Sequence, residues 1–394
     1  MRRRLVPLLL ILTLGCSSEP ELEMFGTPAG QGASAPFISS SGSELLLSWI
    51  EPVDGGLDAV RFAKLVDDTW SEPVTIVERD DLFVNWADFP SVVADDEGVL
   101  FAHWLQRSAP DVYAYDVVMS ISRNGGGNWG DPFKLNRDGT PTEHGFVSLA
   151  SHPEGGVLAV WLDGREMSGE HGHGAGDMTL RTAHVEPSGL LREEELLDQR
   201  TCECCATGMA LVSGRPLVAY RDRSEREIRD VAIVRKEDGR WTEPSTIYPD
   251  QWFIDACPVN GPQVDAFGNR AVVAWFTGAD GKGAVKVVFS SDGGETFTQP
   301  LRVDQGEAIG RVDTVMLDDQ SALVAWIEGG ADTARIMVRV IDSGGGPGSP
   351  IRVVQTNAAR ASGFPRLART SDDSVWLVWT DVDAKTLKMV RIEI

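Results

Sequence analysis

Residues 261–297 read GPQVDAFGNRAVVAWFTGADGKGAVKVVFSSDGGETF. Gly261 to Phe267, Arg270 to Phe276 and Ala284 to Ser290 are strand-length runs separated by turn residues, and Leu301 to Val303 begins a fourth. The second run is apolar on both faces after Arg270 and ends on an aromatic, as expected of a strand covered on both sides. The pattern recurs. LLLSWI surrounds Trp49, VLFAHWL Trp104, VLAVWL Trp161 and PLVAYR Tyr220, followed by AVVAWF around Trp275, ALVAWI around Trp326 and VWLVWT around Trp379. Successive aromatics are 55, 57, 59, 55, 51 and 53 residues apart. A near-constant period of this size, built from strands, predicts an all-β propeller of four-stranded blades. Seven copies favour seven blades; six is the alternative, with the third copy irregular because it lacks a turn motif. The last copy, Gly363 to Ile394, has room for three strands, so the chain near Glu21 to Thr27 is expected to supply the fourth and close the ring.

The ends are of a different kind. Arg2, Arg3 and Arg4 precede an apolar run from Leu5 to Leu12, too short to span a bilayer and typical of a signal peptide over residues 1–15. Gly15-Cys16 resembles a bacterial lipoprotein box, which implies lipidation of Cys16 and attachment to the cell envelope, in the periplasm or at the outer membrane, with free secretion the alternative. Residues 16–34, rich in Ser, Pro, Gly and Glu, read as a tether. Residues 35–394 form the propeller. Without residues 1–15, 33 basic residues face 59 acidic ones. That balance excludes nucleic acid and leaves the N-terminal lipid as the only contact with a membrane.

The turn Ser290-x-Asp292-x-Gly294-x-Thr296-Phe297 carries an Asp able to accept backbone N–H groups of its own turn, a glycine for a positive φ and an inward aromatic. Ser122-x-Asn124-x-Gly126-x-Asn128-Trp129 is a weaker copy. These turns resemble the Asp-boxes of the sialidase and BNR-repeat superfamily, a likeness spanning about Ala35 to the end. The resemblance implies a propeller scaffold and, in the enzymes, three arginines on a sialate carboxylate, an Asp acid/base and a Tyr–Glu nucleophile pair. Tyr113, Tyr115, Tyr220 and Tyr248 all lie outside the last blades, where that tyrosine is expected, so no such pair is carried over.

In a propeller the links between blades and the loops between second and third strands open on one face. Here those segments hold nearly every unusual residue: NWADFP with Trp86 and Asp88, TEHGF, RTCECCATG with Cys202, Cys204 and Cys205, and QWFIDACPVNGP with Cys257 and Asn260. The long loop of the third copy adds Arg165, His171 and His173; that of the fourth adds Arg221, Arg223 and Arg229; later links add Arg311 and Arg366. One decorated face on a rigid scaffold predicts a ligand site there. Converging arginines bind carboxylates or phosphates; the same arginines can instead make ion pairs between blades. The cysteines have three readings: disulfides, as export favours; a soft-metal site for Cu or Zn joined by the two histidines; or redox-active thiols. Cys204 and Cys205 are adjacent and cannot readily bridge to each other, so two relaxed disulfides are expected to be hard to form. The resulting expectation is an envelope-anchored, sialidase-like propeller that binds a glycan or other small anion. Exo-glycosidase action with Asp88, Asp255 or Asp265 as acid, copper or zinc binding, and a protein-interaction platform are the alternatives.

Overall fold

The computed structural model describes residues 20–167, 176–330 and 333–394. Seven antiparallel sheets form a ring, a seven-bladed β-propeller; six are built from successive strands and the seventh borrows its outer strand from the N-terminal end. Blade 5 runs Gln263–Phe267, Arg270–Thr277, Ala284–Ser290 and Leu301–Arg302 from the axis outward, close to the expected strands. Blade 3, the candidate for irregularity, is regular: His144–Ser151, Val157–Asp163, Met178–Val185 and the 11-residue outer strand Leu191–Thr201. The six-bladed alternative is thereby set aside.

The ring is closed as expected. Glu21–Phe25 pairs antiparallel with Thr386–Glu393, Glu21 opposite Glu393 and Phe25 opposite Met389. The propeller therefore takes in residues that the sequence assigned to the tether. Phe25 meets Trp376 edge to face at 5.2 Å, adding apolar contact to the ladder.

Each repeated aromatic sits in the second strand of its blade, in the gap between sheets. Trp49, Trp104, Trp161, Tyr220, Trp275 and Trp326 are essentially inaccessible. A buried indole N–H needs an acceptor, and in three blades the acid two residues on provides it: Trp49 donates to Glu51 (2.8 Å), Trp161 to Asp163 (2.7 Å) and Trp326 to Glu328 (2.9 Å). Two residues along a strand return to the same face, so the spacing is what the pleat demands.

The turns named above pack blade on blade. Asp292 accepts the Thr296 N–H (2.9 Å) and Ser290 Oγ accepts that of Gly294 (2.9 Å). Asn124 and Ser122 do the same for Asn128 and Gly126, both at 2.9 Å. Gly126 has a φ of 91°, and a Cβ there would lie 2.3 Å from Phe62 of blade 1. Its glycine thus serves both the turn and the close approach of neighbouring sheets.

Removing Glu21–Phe25 leaves Thr386–Glu393 as an open edge. It is expected to lower stability by roughly 3 kcal/mol or more, from the lost ladder bonds and the uncovered Phe25 contact. Denaturant midpoints and size-exclusion profiles of the truncated chain, which should also self-associate, check this.

Candidate functional site

The blade-to-blade links meet at the axis and are tied to one another by buried polar groups. Asp88, leading into blade 2, accepts the Phe146 N–H at the start of blade 3 (2.8 Å). Asn260 Oδ1, leading into blade 5, accepts the Arg311 N–H in blade 6 (2.7 Å), and Asp313 of blade 6 accepts the Leu367 N–H in blade 7 (2.7 Å). Phe146 and Arg311 both have positive φ, 54° and 56°. The accepted bonds hold these side-chain-bearing residues in a conformation they rarely adopt.

Inside the ring is a channel of about 350 Å³ walled by inner strands. Arg366 lies in it, 3.3 Å from Asp313, with Phe37 and Phe89 at 5.2 and 5.1 Å from its guanidinium. Asp265 also borders the channel and accepts the Met316 N–H (2.6 Å); burial pushes its carboxyl up to about 6.

Above the channel, with Ala87 and Phe146 bordering both spaces, lies a second cavity of about 580 Å³. It is built from the links entering blades 2 to 5, from the loops between second and third strands of blades 2 to 4, and from Arg360 ahead of blade 7. Trp86 and Tyr113 supply aromatic walls, Arg200, Arg223 and Arg360 cations, and Glu143, Glu203 and Asp255 carboxyls. Trp86 stacks on Phe364 (5.8 Å between centroids) and has Arg311 over its ring at 4.8 Å, so its plane is fixed. Arg360 sits 5.9 Å over the same ring and enters no ion pair among the described residues. Arg200 is held by Asp177 at 3.0 Å.

The structure brings together four of the named cysteines on one wall. Cys202 Sγ is 3.2 Å from Cys205 Sγ and 3.9 Å from Cys204 Sγ, and all four thiols are free. Cys204 also contacts Cys257. Arg229 donates to Cys202 Sγ (3.2 Å) and is gripped by Glu203 (2.7 Å) and Glu227 (3.0 Å); Arg223 joins the same two glutamates. Burial opposes ionisation of Cys202, but hydrogen bonds from Cys204 and Cys205 and the Arg229 charge outweigh it and hold its pKa well below the ordinary thiol value. His171, His173 and Cys16 lie outside the described residues. A second titratable group, Asp138, His144 and Asp163, is closed on itself: His144 faces Tyr115 and Thr142 carbonyls through Nδ1 and Asp138 through Nε2 (each 3.1 Å).

Of the arginines singled out from the sequence, Arg223 and Arg229 line the cavity. Arg165 is paired with Asp163 (2.7 Å) and Glu194 (2.8 Å) in blade 3. Arg221, 1% exposed, gives its donors to the carbonyls of Asn260, Arg229 and Phe276 at 2.6–2.9 Å and stacks 4.8 Å over Trp252. Arg311 donates to the carbonyls of Ala358, Ala359 and Gly363 at 3.0–3.1 Å. Asn260 is buried in these contacts and Asp88 faces the channel. The sequence reading did not pick out Glu143, Glu203, Arg200, Arg360 or Tyr113. Glu143 and Glu203 lie inside the TEHGF and TCECC links, where an acid beside a conspicuous motif was the available signal.

Glu143 is held from below by Tyr115, whose hydroxyl donates to it at 2.6 Å. Burial raises the Glu143 carboxyl, against that bond, to about 7. Tyr115 is itself fully buried and stacked 3.9 Å on Phe83.

No protein-family model and no curated protein matches the chain. Solved structures do match its fold. Polysaccharide lyase Uly1 aligns at 8% identity with a TM-score of 0.54, over 91% of this chain and 89% of that one. A PL25 ulvan lyase bound to -[GlcA(1-4)Rha3S]- aligns at 11% identity and 0.50, over 80% of each. The Hadza microbial sialidase Hz136 aligns at 14% and 0.45; 75% of this chain is covered, spanning 63% of the sialidase. At these identities the likeness establishes a seven-bladed propeller whose structural neighbours include glycan-active enzymes.

Two outcomes follow from the geometry. Arg221→Met leaves three carbonyls without their buried donor and is expected to cost on the order of 3 kcal/mol in denaturant unfolding. Burial raises Asp88 from 3.8 to about 8, against the Phe146 bond. A carboxyl raised on folding binds more protons in the native state, so its contribution is intact below pH about 4 and is lost as pH rises toward 8. Asp88→Asn should remove roughly 3–6 kcal/mol of that decline, read from unfolding midpoints at pH 5 and pH 8.

Proposed function

We propose that the chain is an exported, lipid-anchored propeller of the sialidase-like, BNR-repeat type that binds an acidic saccharide in the cavity over the axis. The observation that carries the reading is the composition of that cavity: a fixed Trp86 plane and Tyr113 beside Arg200, Arg223 and Arg360, the last without an ion-pair partner among the described residues. Sugar rings stack on aromatic faces, and guanidinium forks match carboxylate or sulfate groups. Arg223 is already engaged by Glu203 and Glu227 and Arg200 by Asp177, so Arg360 is the cation with most to gain from an anion. That the lyase neighbours act on polysaccharides, one with a uronate-containing ligand bound, makes an acidic glycan the natural class. The Ser290–Phe297 and Ser122–Trp129 turns, read as Asp-boxes, are staples of the scaffold in this account. Cys16 holds the protein at the envelope.

The reading extends to catalysis through Glu143. A carboxyl raised to about 7 at the cavity wall can donate a proton to a departing glycosidic oxygen near neutral pH. Asp255, on the same cavity, is the second carboxyl.

Calorimetric titration with sialyllactose, with a glucuronate-containing sulfated oligosaccharide and with a neutral oligosaccharide tests the proposal. An acidic ligand should bind and the neutral one should not. Arg360→Ala and Trp86→Ala should each weaken binding about tenfold or more, while Arg221→Met, corrected for its folded fraction, should not. Absence of binding by either acidic ligand, or binding indifferent to both cavity variants, contradicts the reading. If product also forms, Glu143→Gln should abolish its formation without abolishing binding.

A further inference from the structure

The cysteine wall has no role in recognising a saccharide, yet it is the most unusual chemistry on the face. Three of its sulfurs come from the single link entering blade 4, and their Sγ atoms all lie within 4.8 Å of one another. The fourth comes from the link entering blade 5. Cys202 is within reach of both neighbours, 3.9 Å from Cys204 and 3.2 Å from Cys205, and Cys257 lies beside Cys204 on the cavity wall. Disulfides pair sulfurs two by two, whereas here three sulfurs converge and a fourth stands beside them. Tetrahedral thiolate coordination at about 2.3 Å sets neighbouring sulfurs roughly 3.8 Å apart. The Cys202–Cys204 separation is 3.9 Å, and Cys202–Cys205, at 3.2 Å, needs to open by only a few tenths of an ångström.

We propose that Cys202, Cys204, Cys205 and Cys257 hold one thiophilic cation of the Zn(II) or Cu(I) class, stapling the blade-5 link to the blade-4 link. Sulfur-only ligation selects such ions over Mg(II) or Ca(II). The surroundings meet the other requirements of a metal site. Several thiolates around one cation carry net negative charge, and Arg229, 3.2 Å from Cys202 Sγ, is the counter-charge. Arg229 is itself oriented by Glu203, Glu227 and the Ile254 carbonyl (3.1 Å), an outer shell of the kind that fixes ligands in place. Access is open, because Cys204 and Cys257 border the cavity while Cys202 and Cys205 are buried behind them. Cys202 is anchored from the backbone side, its N–H donating to the Arg221 carbonyl (3.0 Å). Arg221 in turn clamps the Asn260 carbonyl just beyond Cys257, so the two links are already held close before an ion arrives.

The inference does not rest on the saccharide reading, and its consequence is mechanical. Asp255, Ala256, Cys257 and Val259 wall the cavity, and the ion fixes the link that carries them.

The test uses the mature chain purified without added metal. Elemental analysis gives the metal content, and mass spectrometry with thiol counting in denaturant and chelator gives the sulfur state. The reduced, metal-free protein is then titrated separately with Zn(II) and with Cu(I) against chromophoric competitors. Four free thiols and one equivalent of either ion bound support the proposal, and the tighter of the two names the ion. Substitution with Co(II) should show thiolate charge-transfer bands of a tetrahedral site. Cys257→Ser, at an exposed position that leaves the core intact, should weaken binding about tenfold or more and should loosen protection of residues 255–261 in hydrogen exchange. A mass short of the reduced chain by the hydrogens of one or two disulfides among these cysteines overturns the proposal. So does failure of the reduced protein to retain one equivalent of either ion, or a Cys257→Ser variant that binds as wild type does.

Discussion

Ring closure is the constraint on which everything else depends. Blade 7 has only three strands of its own at the C-terminal end, and the fourth arrives from Glu21–Phe25, at the opposite end of the sequence. Once that ladder forms, each sheet is flanked by two others. The indole-filled gaps between sheets become fully buried, and the inner strands must converge on one axis. Convergence is what gathers residues as distant as Trp86 and Arg360 onto one cavity. A seven-membered ring also leaves an axial channel, and the polar links beside it, Asp88 to Phe146, Asn260 to Arg311 and Asp313 to Leu367, tie blade 2 to 3, blade 5 to 6 and blade 6 to 7. These are costly groups to bury, and each is satisfied by a backbone N–H of a neighbouring blade.

Arginine does two kinds of work on this face. Arg221 and Arg311 present planar forks to clusters of carbonyls, which a single ammonium group could not match. They are stacked on Trp252 and Trp86, so the ring faces complete their surroundings. Arg200, Arg223 and Arg360 stand in front of them, at the cavity. The rear arginines hold the loops; of the front ones, Arg200 and Arg223 are ion-paired at the cavity wall and Arg360 has no ion-pair partner among the described residues. Burial and the nearby Arg360 charge lower the Arg311 pKa to about 10, still far above neutrality, so the clamp stays charged.

The scaffold was legible in the sequence because it is repetitive. The aromatic at the end of each second strand repeats at 51 to 59 residues, and blade 5 could be drawn strand by strand from its turns. The closing strand was legible from a shortage, since the last repeat had one strand too few. The collection of thiols on one face was equally readable, because propeller connectivity dictates which loops share a face. What the sequence could not separate was Arg221 from Arg223. The two are two residues apart in one loop, yet one turns inward to three carbonyls and the other outward to the cavity. That choice is made by acceptors in blade 5, far along the chain. Arg360 and Tyr113 carry no motif at all and reach the site only because the ring brings their links to the axis. Glu143 was in view but unremarkable, because its raised pKa comes from burial above Tyr115, which no local pattern encodes.

The most direct test of the central claim is a crystal structure of the mature protein soaked with an acidic oligosaccharide. The account predicts a sugar ring against Trp86, with its carboxylate or sulfate within hydrogen-bond distance of Arg360 and Arg200. Saccharide bound instead in the axial channel beside Arg366, or on the opposite face among the Ser290 and Ser122 turns, would contradict it.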